Sequence, residues 1–322
     1  MIITQTSLRV SFLGGNTDFR QYYTKHGGMV LTSTINKYIY CIVKERFDDL
    51  IIVNYTTREC VSRVKDIKHD LVREALRLLG ITKGVEISFL ADIPSAGTGL
   101  GSSSSVTVGV LNALHNYLGD PVSPMQLAEE AVQIEVDILK KPIGVQDQYA
   151  VALGGIRLIN FSEDSIWGER LEISESIQED FNNSLMLFYT NTTRKSEEVL
   201  SSLDLEGNLE LLHDNQQLAL LGGKFLVNGN LGGFGYSLNT YWEAKKKLSD
   251  RISTKEIDEM YQTARKAGAI GGKILGAGGG GFLLVMFPAN KRASVRKSLK
   301  DYKELPFRFE NDGSKVIFNI RG

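Results

Sequence analysis

Residues 94–105 read PSAGTGLGSSSS, with Gly97, Gly99 and Gly101 alternating ahead of four consecutive serines. Such a run could be a flexible linker between two modules. Its flanks exclude that. Upstream, Val85, Ile87 and Phe89 alternate with Glu86 and Ser88, the period of a strand with one buried face. Downstream, Val106, Val110, Ala113, Leu114 and Tyr117 recur at helical spacing. The run is therefore a strand-to-helix turn. One serine suffices to cap a helix, and one or two glycines suffice for positive φ, so capping leaves most of this segment unexplained. Exposed N–H groups at the start of a helix form an anion cradle that the helix dipole reinforces. A Walker A loop would end in Gly-Lys-Ser/Thr, and no lysine stands here.

A second glycine cluster, GGKILGAGGGGFLLVMF, contains Gly276, Gly278 and Gly281 in a G-x-G-x-x-G spacing. A dinucleotide fingerprint must open a helix, whereas FLLVMF continues as an apolar strand, so a Rossmann site is disfavoured. Five glycines also exceed the needs of a hairpin turn. With 322 residues, 42% hydrophobic and 23% charged, the chain is an ordinary globular sequence able to build a large core. A net charge of −1 offers no footprint for nucleic acid or an anionic membrane. The basic segment NKRASVRKSLKDYK reads as a solvated helix face, with Val295 and Leu299 turned inward. Cys41 and Cys60 lie in or beside apolar strand-like runs, against a disulfide framework or zinc cluster and consistent with a cytoplasmic protein. No apolar run approaches the ~20 residues of a membrane span, and the N-terminus lacks the pattern of an export signal.

The first half alternates strands (near 2–13, 29–45, 50–55 and 85–93) with helices (near 66–79, 102–118 and 124–140). A polar stretch before the strand SLMLFYT suggests a domain boundary, dividing 1–170 from 171–322. Helices are expected near 194–203, 207–226, 236–248, 254–267 and 289–301, with GGFLLVMF and KVIFNI as further strands. Ser253 and Glu256 resemble a capping box opening the helix near 254. Between Glu129 and Ala150 lie two acids of interest. Glu135 sits on a helix, where an acid alone is usually a surface charge. Asp147 stands in an uncharged stretch from Pro142 to Gly155, where an acid is either held by structural hydrogen bonds or placed for chemistry.

With these segments assembled, the chain resembles the GHMP kinases. LRVSFLGGNTDF (8–19) is similar to the R-x-N-L-I-G-E-H-x-D-Y motif of the galactokinase type, PSAGTGLGSSSS to the second family motif, and KILGAGGGGF (273–282) to the third; GVQDQ resembles the G-x-x-D-Q segment. The resemblance spans nearly the whole chain. It implies an α+β fold of two domains: an N-terminal ATP-binding domain like the second domain of ribosomal protein S5, and a ferredoxin-like C-terminal domain, with the active site between them. It further implies ATP bound by Pro94, Ala96, Gly97, Thr98, Gly99, Leu100, Gly101, Ser102, Ser103 and Ser104, and Mg²⁺ held by Ser103 and Glu135. Asp147 matches the catalytic aspartate that accepts or orients the proton of the attacking hydroxyl, and Arg9 the arginine that favours the developing charge. Gly15, Asn16, Thr17 and Asp18 match the sugar-binding segment, and Gly276, Ala277, Gly278 and Gly279 the loop that closes the site.

Gly15-Asn16 replaces the Glu-His of galactokinases, which puts galactose in doubt. FLGGNTDF, TNTTRKSEEVL and GAIGGKILGAGGGGF are more similar to the bacterial heptose 7-phosphate kinases. That likeness implies a sugar phosphate acceptor phosphorylated at its anomeric hydroxyl, in the service of surface polysaccharide. Thr193 and Arg194 are candidates for the acceptor's own phosphate, Arg194 as a planar fork. The implied partners are the sugar phosphate and ATP, without nucleic acid or membrane, and a homodimer is compatible with them. The alternatives are a fucokinase-like or galactokinase-like enzyme, and a non-catalytic sugar or nucleotide sensor on the same fold.

Overall fold

A computed structural model describes residues 1–93, 97–193 and 196–320. The chain runs β1 (Ile2–Leu13), α1 (Arg20–His26), β2 (Gly28–Glu45), β3 (Ile51–Asn54), β4 (Arg58–Val61), α2 (Asp70–Leu78), β5 (Val85–Ala91), α3 (Ser102–Leu118), α4 (Pro124–Val132), α5 (Gln146–Leu153), β6 (Ile156–Phe161) and β7 (Ile166–Arg170). It continues as α6 (Glu175–Asn183), β8 (Leu185–Tyr189), α7 (Ser196–Leu200), α8 (Leu209–Val227), α9 (Leu231–Lys245), α10 (Lys255–Lys266), β9 (Gly271–Ile274), β10 (Phe282–Met286), α11 (Arg292–Ser298), β11 (Glu304–Leu305) and β12 (Ser314–Asn319).

The strands form two sheets. The larger follows β12-β1-β2-β5-β3-β4, with β6 beside β2 and β7 beside β6. The long strand β2 pairs with β1 along one edge; along the other, Gly28–Ser33 pair with β6 and Ile39–Glu45 with β5. The smaller sheet follows β11-β8-β10-β9, with all its pairs antiparallel. The last strand, β12, returns to β1, so a division at 170/171 separates the strands of the two sheets except for this one.

Packing follows from strand alternation. Leu8, Val10 and Phe12 enter a core shared with Leu185, Leu187, Leu284 and Met286 of the small sheet and with α8 and α9. Arg9 and Ser11 therefore face the other way, toward the start of α3. On the small sheet Met186, Phe188, Leu283 and Val285 point away from that core, into a separate one closed by α10 and α11. Because both faces of β8 and β10 are covered, their sequences are continuously apolar rather than alternating. A third core lies between the large sheet and α2 to α5.

Several elements depart from the sequence reading. The segment expected as one helix over 124–140 is α4 followed by a π-helical turn, Gln133–Ile138, in which the Leu139 N–H donates to the Ile134 carbonyl at 2.9 Å. The cap of α10 is Thr254, whose hydroxyl accepts from the Ile257 N–H at 3.3 Å. Ser253 stays outside the helix and donates to Asp258 instead, because the helix opens one residue later than the capping-box spacing implies. Helices α1, α5 and α6 and strands β4, β7, β9 and β11 had no distinct signal in the sequence. No helix among the described residues is long and apolar enough to cross a membrane.

The two glycine loops meet. A Cβ on Gly99 would lie 2.4 Å from the Leu275 carbonyl oxygen, and Gly99 has φ +75. Gly99→Ala should therefore cost about 1–3 kcal/mol, the range for a non-glycine residue held in a sparsely populated conformation. Urea unfolding checks it; a midpoint equal to wild type would mean that the loops do not pack this closely.

Candidate active site

Residues from six separate stretches, 9–19, 97–104, 135–147, 197–200, 241–245 and 276–277, converge on one cleft of about 350 Å³. Its floor is the strand-to-helix turn. Gly101 is the N-cap of α3, with φ 75 and ψ 22 and no side chain to cap the first turn. The N–H groups of Ser102, Ser103 and Ser104 have no acceptor one turn back, so they open onto the cleft at the positive end of the helix dipole. The Thr98 and Ser102 hydroxyls lie 3.4 Å apart in the same wall.

Arg9 and Asp147 form the centre. Nε of Arg9 donates to Oδ1 of Asp147 at 2.6 Å and Nη2 to Oδ2 at 2.5 Å. The third edge of the guanidinium, Nη1, donates to the Gly99 carbonyl at 2.6 Å. Arg9 is buried, while the Asp147 side chain keeps 24% of its surface exposed, toward the cleft. Asp147 lies in the first turn of α5, where the dipole favours an acid.

Asp18 lies close by and is 2% exposed. Its carboxylate accepts from the Asn16 N–H at 3.0 Å and the Gln146 N–H at 3.2 Å. Burial raises its pKa above the ordinary aspartate value, the Asp147 charge adds to that, and the backbone donors oppose it. Ser11 donates to the Gln146 side chain at 2.7 Å, holding the turn before α5 against β1.

Glu135 is not the surface charge its helical position suggests; it is fully buried. The π-helical turn delivers it to the start of α3, where the Ser103 hydroxyl donates to Oε2 at 2.9 Å. Its other oxygen, Oε1, is buried without a hydrogen-bond partner among the described residues. Burial raises its pKa, against the opposing influence of Lys141 and Ser103. A buried carboxylate with one unsatisfied oxygen beside a hydroxyl is a donor set suited to a hard, oxygen-preferring cation.

The sequence reading missed several residues here. Lys245, at the end of α9, is 3% exposed and donates to the Gly276 carbonyl at 2.6 Å. Burial brings its pKa down to about 8, helped by the Arg9 charge. Lys273 is wholly enclosed and donates to the carbonyls of Ser11 and Phe12 at 2.9 and 3.1 Å, with its ammonium 4.4 Å from the centre of the Tyr241 ring. Those carbonyls lie where β1 carries an extra residue opposite β2, so the lysine satisfies acceptors that the irregular pairing frees. Gln146 and Tyr241 also line the cleft. Lys245 belongs to no motif, and Lys273, the first residue of the third motif, had no role assigned to it there; each stands at an ordinary helix or strand position.

The structure brings together Arg9, Gly15, Asn16, Asp18, Gly97, Thr98, Gly99, Gly101, Ser102, Ser103, Ser104, Glu135, Asp147, Gly276 and Ala277 around the cleft. It places the other expected residues elsewhere. Thr17 is buried and donates to the carbonyls of Gly14 and Met29, which fixes the turn. Leu100 has its side chain in the core and offers its carbonyl to the Arg9 N–H. Gly278 and Gly279 pack on Ile252, and Thr193 is exposed. Pro94, Ala96 and Arg194 lie outside the described residues.

Residues 64–155 match the GHMP kinases N terminal domain, and residues 224–304 match GHMP kinases C terminal. Over 335 aligned positions the chain is 31% identical to D-glycero-alpha-D-manno-heptose 7-phosphate kinase of Campylobacter jejuni, with 98% of each chain covered. It is 25% identical to the galactokinase of Pyrococcus furiosus, with 91% of each covered. The crystal structure of a D-glycero-D-manno-heptose 1-phosphate kinase from Bacteroides thetaiotaomicron superimposes with a TM-score of 0.83, at 26% identity over the full length of both chains.

The buried position of Glu135 has a measurable consequence. Its folded-state pKa is raised, so the folded protein holds this proton more tightly than the unfolded chain. With metal chelated, Glu135 therefore lowers stability as pH rises from the ordinary carboxylate range through its raised value. Glu135→Gln should flatten that part of the decline. Denaturant unfolding across acidic to neutral pH, in the presence of chelator, reads it; identical slopes in the two proteins would place Glu135 in solvent.

Proposed function

The chain belongs to the GHMP kinase family, and we propose that it transfers the γ-phosphoryl group of ATP to the anomeric hydroxyl of D-glycero-D-manno-heptose 7-phosphate. The observation that carries this is the Arg9–Asp147 pair, set beside the open N–H groups of α3 and the unsatisfied oxygen of Glu135. Two full-length likenesses bear on the acceptor, since both relatives' names describe a heptose phosphate, the 7-phosphate in one and the 1-phosphate in the other; the proposed 7-phosphate follows the first. The bisphosphate product would feed nucleotide-activated heptose synthesis for surface polysaccharide, in the cytoplasm.

The residues divide the work as phosphoryl transfer requires, by positioning and by charge. The ATP phosphates lie against the N–H groups of Ser102 to Ser104 and the glycine turn at Gly97 to Gly101. Glu135 and Ser103 would hold Mg²⁺, which when bound neutralises charge on the phosphate oxygens. Asp18 accepts hydrogen bonds from sugar hydroxyls. Asp147 takes the proton of the attacking hydroxyl; that oxygen bonds to the γ-phosphorus while the bond to the β-phosphate oxygen breaks, and its electrons leave on ADP. Arg9 engages two of the lone-pair sites of Asp147 and leaves others for the substrate, so it aims the base without saturating it. Thr193 and Arg194 remain candidates for the acceptor's distal phosphate on sequence grounds.

Asp147→Asn keeps the shape and one acceptor for Arg9. It should fold, with a lowered unfolding midpoint, and lose about 10²–10⁴-fold in kcat, the range of acid–base catalysis. Circular dichroism and a coupled ADP-release assay read both; more than about a tenth of wild-type kcat would remove Asp147 as the base. The same assay, run with heptose 7-phosphate, unphosphorylated heptose, fucose and galactose, tests the substrate. Heptose 7-phosphate should give the highest kcat/KM. A preference for fucose or galactose would replace the heptose assignment, and ADP release with none of them would leave a sensor.

A further inference from the structure

We propose that Lys245 is a phosphoryl-binding residue of this cleft, a second cation that takes a phosphate monoester oxygen through donors the protein leaves free. The inference rests on the phosphotransfer reading above and adds to it a residue outside the family motifs. An ammonium has three donors, and the Gly276 carbonyl uses one of those on Lys245. No carboxylate lies within ion-pair distance of it among the described residues. The other cations around the cleft have their charge met by protein groups, Lys141 by Asp70 at 3.5 Å. Arg9 is engaged by Asp147 and the Gly99 carbonyl; Lys273 is engaged by two carbonyls and the Tyr241 ring, and does not line the cleft. A buried, unpaired charge that lines a cleft is costly until an anion meets it. Gly276 and Ala277, beside it in the cleft wall, leave room for one.

The charges that act on Lys245 are Arg9 from β1 and Asp18 from the turn after β1; its own charge acts on Lys273 of β9, and Asp147, Glu197 and Tyr241 line the same cleft. Burial first, and the Arg9 charge after it, bring the lysine's pKa down to about 8, against the opposing influence of Asp18, which itself resists ionisation. A bound phosphate dianion reverses that balance and restores the ammonium. Lys245 is thus charged below about pH 8 and neutral above it, so phosphoryl binding should weaken as pH rises through that value.

Lys245→Met keeps the volume and removes a buried charge, so it should fold and melt no lower than wild type; Lys245→Gln repeats the test if it does not. The first probe is inorganic phosphate, titrated calorimetrically at pH 7 and pH 9.5. Wild type should bind roughly tenfold or more weakly at the higher pH, although the dianion is then fully formed, and the variant should bind weakly at both. The second is kcat/KM with heptose 7-phosphate and with unphosphorylated heptose, where a loss of roughly 10- to 100-fold is expected. A loss confined to the phosphosugar assigns Lys245 to the acceptor's own phosphate; an equal loss with both, carried by kcat, assigns it to the phosphoryl group in transfer. Unchanged phosphate affinity together with unchanged kcat/KM overturns the proposal. Should wild type phosphorylate no sugar, the function above fails, and the phosphate titration still decides Lys245.

Discussion

Arg9 spends its guanidinium on three bonds that join parts of the chain far apart in sequence. Two go to Asp147, at the start of α5, and the third to the carbonyl of Gly99 in the glycine turn, while the Arg9 backbone N–H takes the carbonyl of Leu100. The planar fork makes this geometry rigid, which a lysine could not do. The consequences spread outward. The turn before α3 is set against β1, so the open N–H groups of that helix stand at a fixed distance from the carboxylate. Helix α5 is held so that Gln146 can tie Ser11 and Asp18 into the same wall.

Around that pair the protein concentrates buried charge: Asp18, Glu135, Lys245 and Lys273 all lie under the surface. Burial works against each of them, raising the pKa of the acids and lowering that of the lysines. Such an arrangement stabilises a fold poorly in comparison with apolar packing of the same volume. It does suit a site that receives a polyanion and a cation, because the ligands then supply the charges the protein lacks. The unsatisfied oxygen of Glu135 and the free donors of Lys245 are the two places where that lack is most visible.

The apolar scaffold supports this cluster by dividing the work between strand faces. Leu8, Val10 and Phe12 anchor β1 in the core it shares with the small sheet, and Arg9 and Ser11 are thereby delivered to the opposite side. The extra residue in β1 near Phe12 bends the strand into the turn carrying Asn16 and Asp18, and Lys273 holds the freed carbonyls from the neighbouring sheet. A strut between the two sheets thus stands behind the wall of the site.

What the sequence determined by itself is what depends on local pattern. The alternation in β1, β2 and β5, the helical spacing of α3, and the glycine-serine turn between β5 and α3 were legible because a strand or helix imposes its own period on neighbouring residues. The motif residues Arg9, Asp18, Ser103, Glu135, Asp147 and Gly276 were legible because they sit at recognisable spacings, and the structure gathers them at one cleft. Other features needed the tertiary structure. Glu135 reads as a surface acid until a π-helical turn and the start of α3 enclose it. Lys245 stands in no motif and Lys273 carried no role in its own, and only the folded chain shows both to be buried. Thr17 and Leu100 lie inside motifs, yet they point into the fold rather than the cleft. Burial and the partner on the far side are sums over segments distant in sequence, and no local period encodes them; they decide which charged side chains meet a ligand and how tightly each holds its proton.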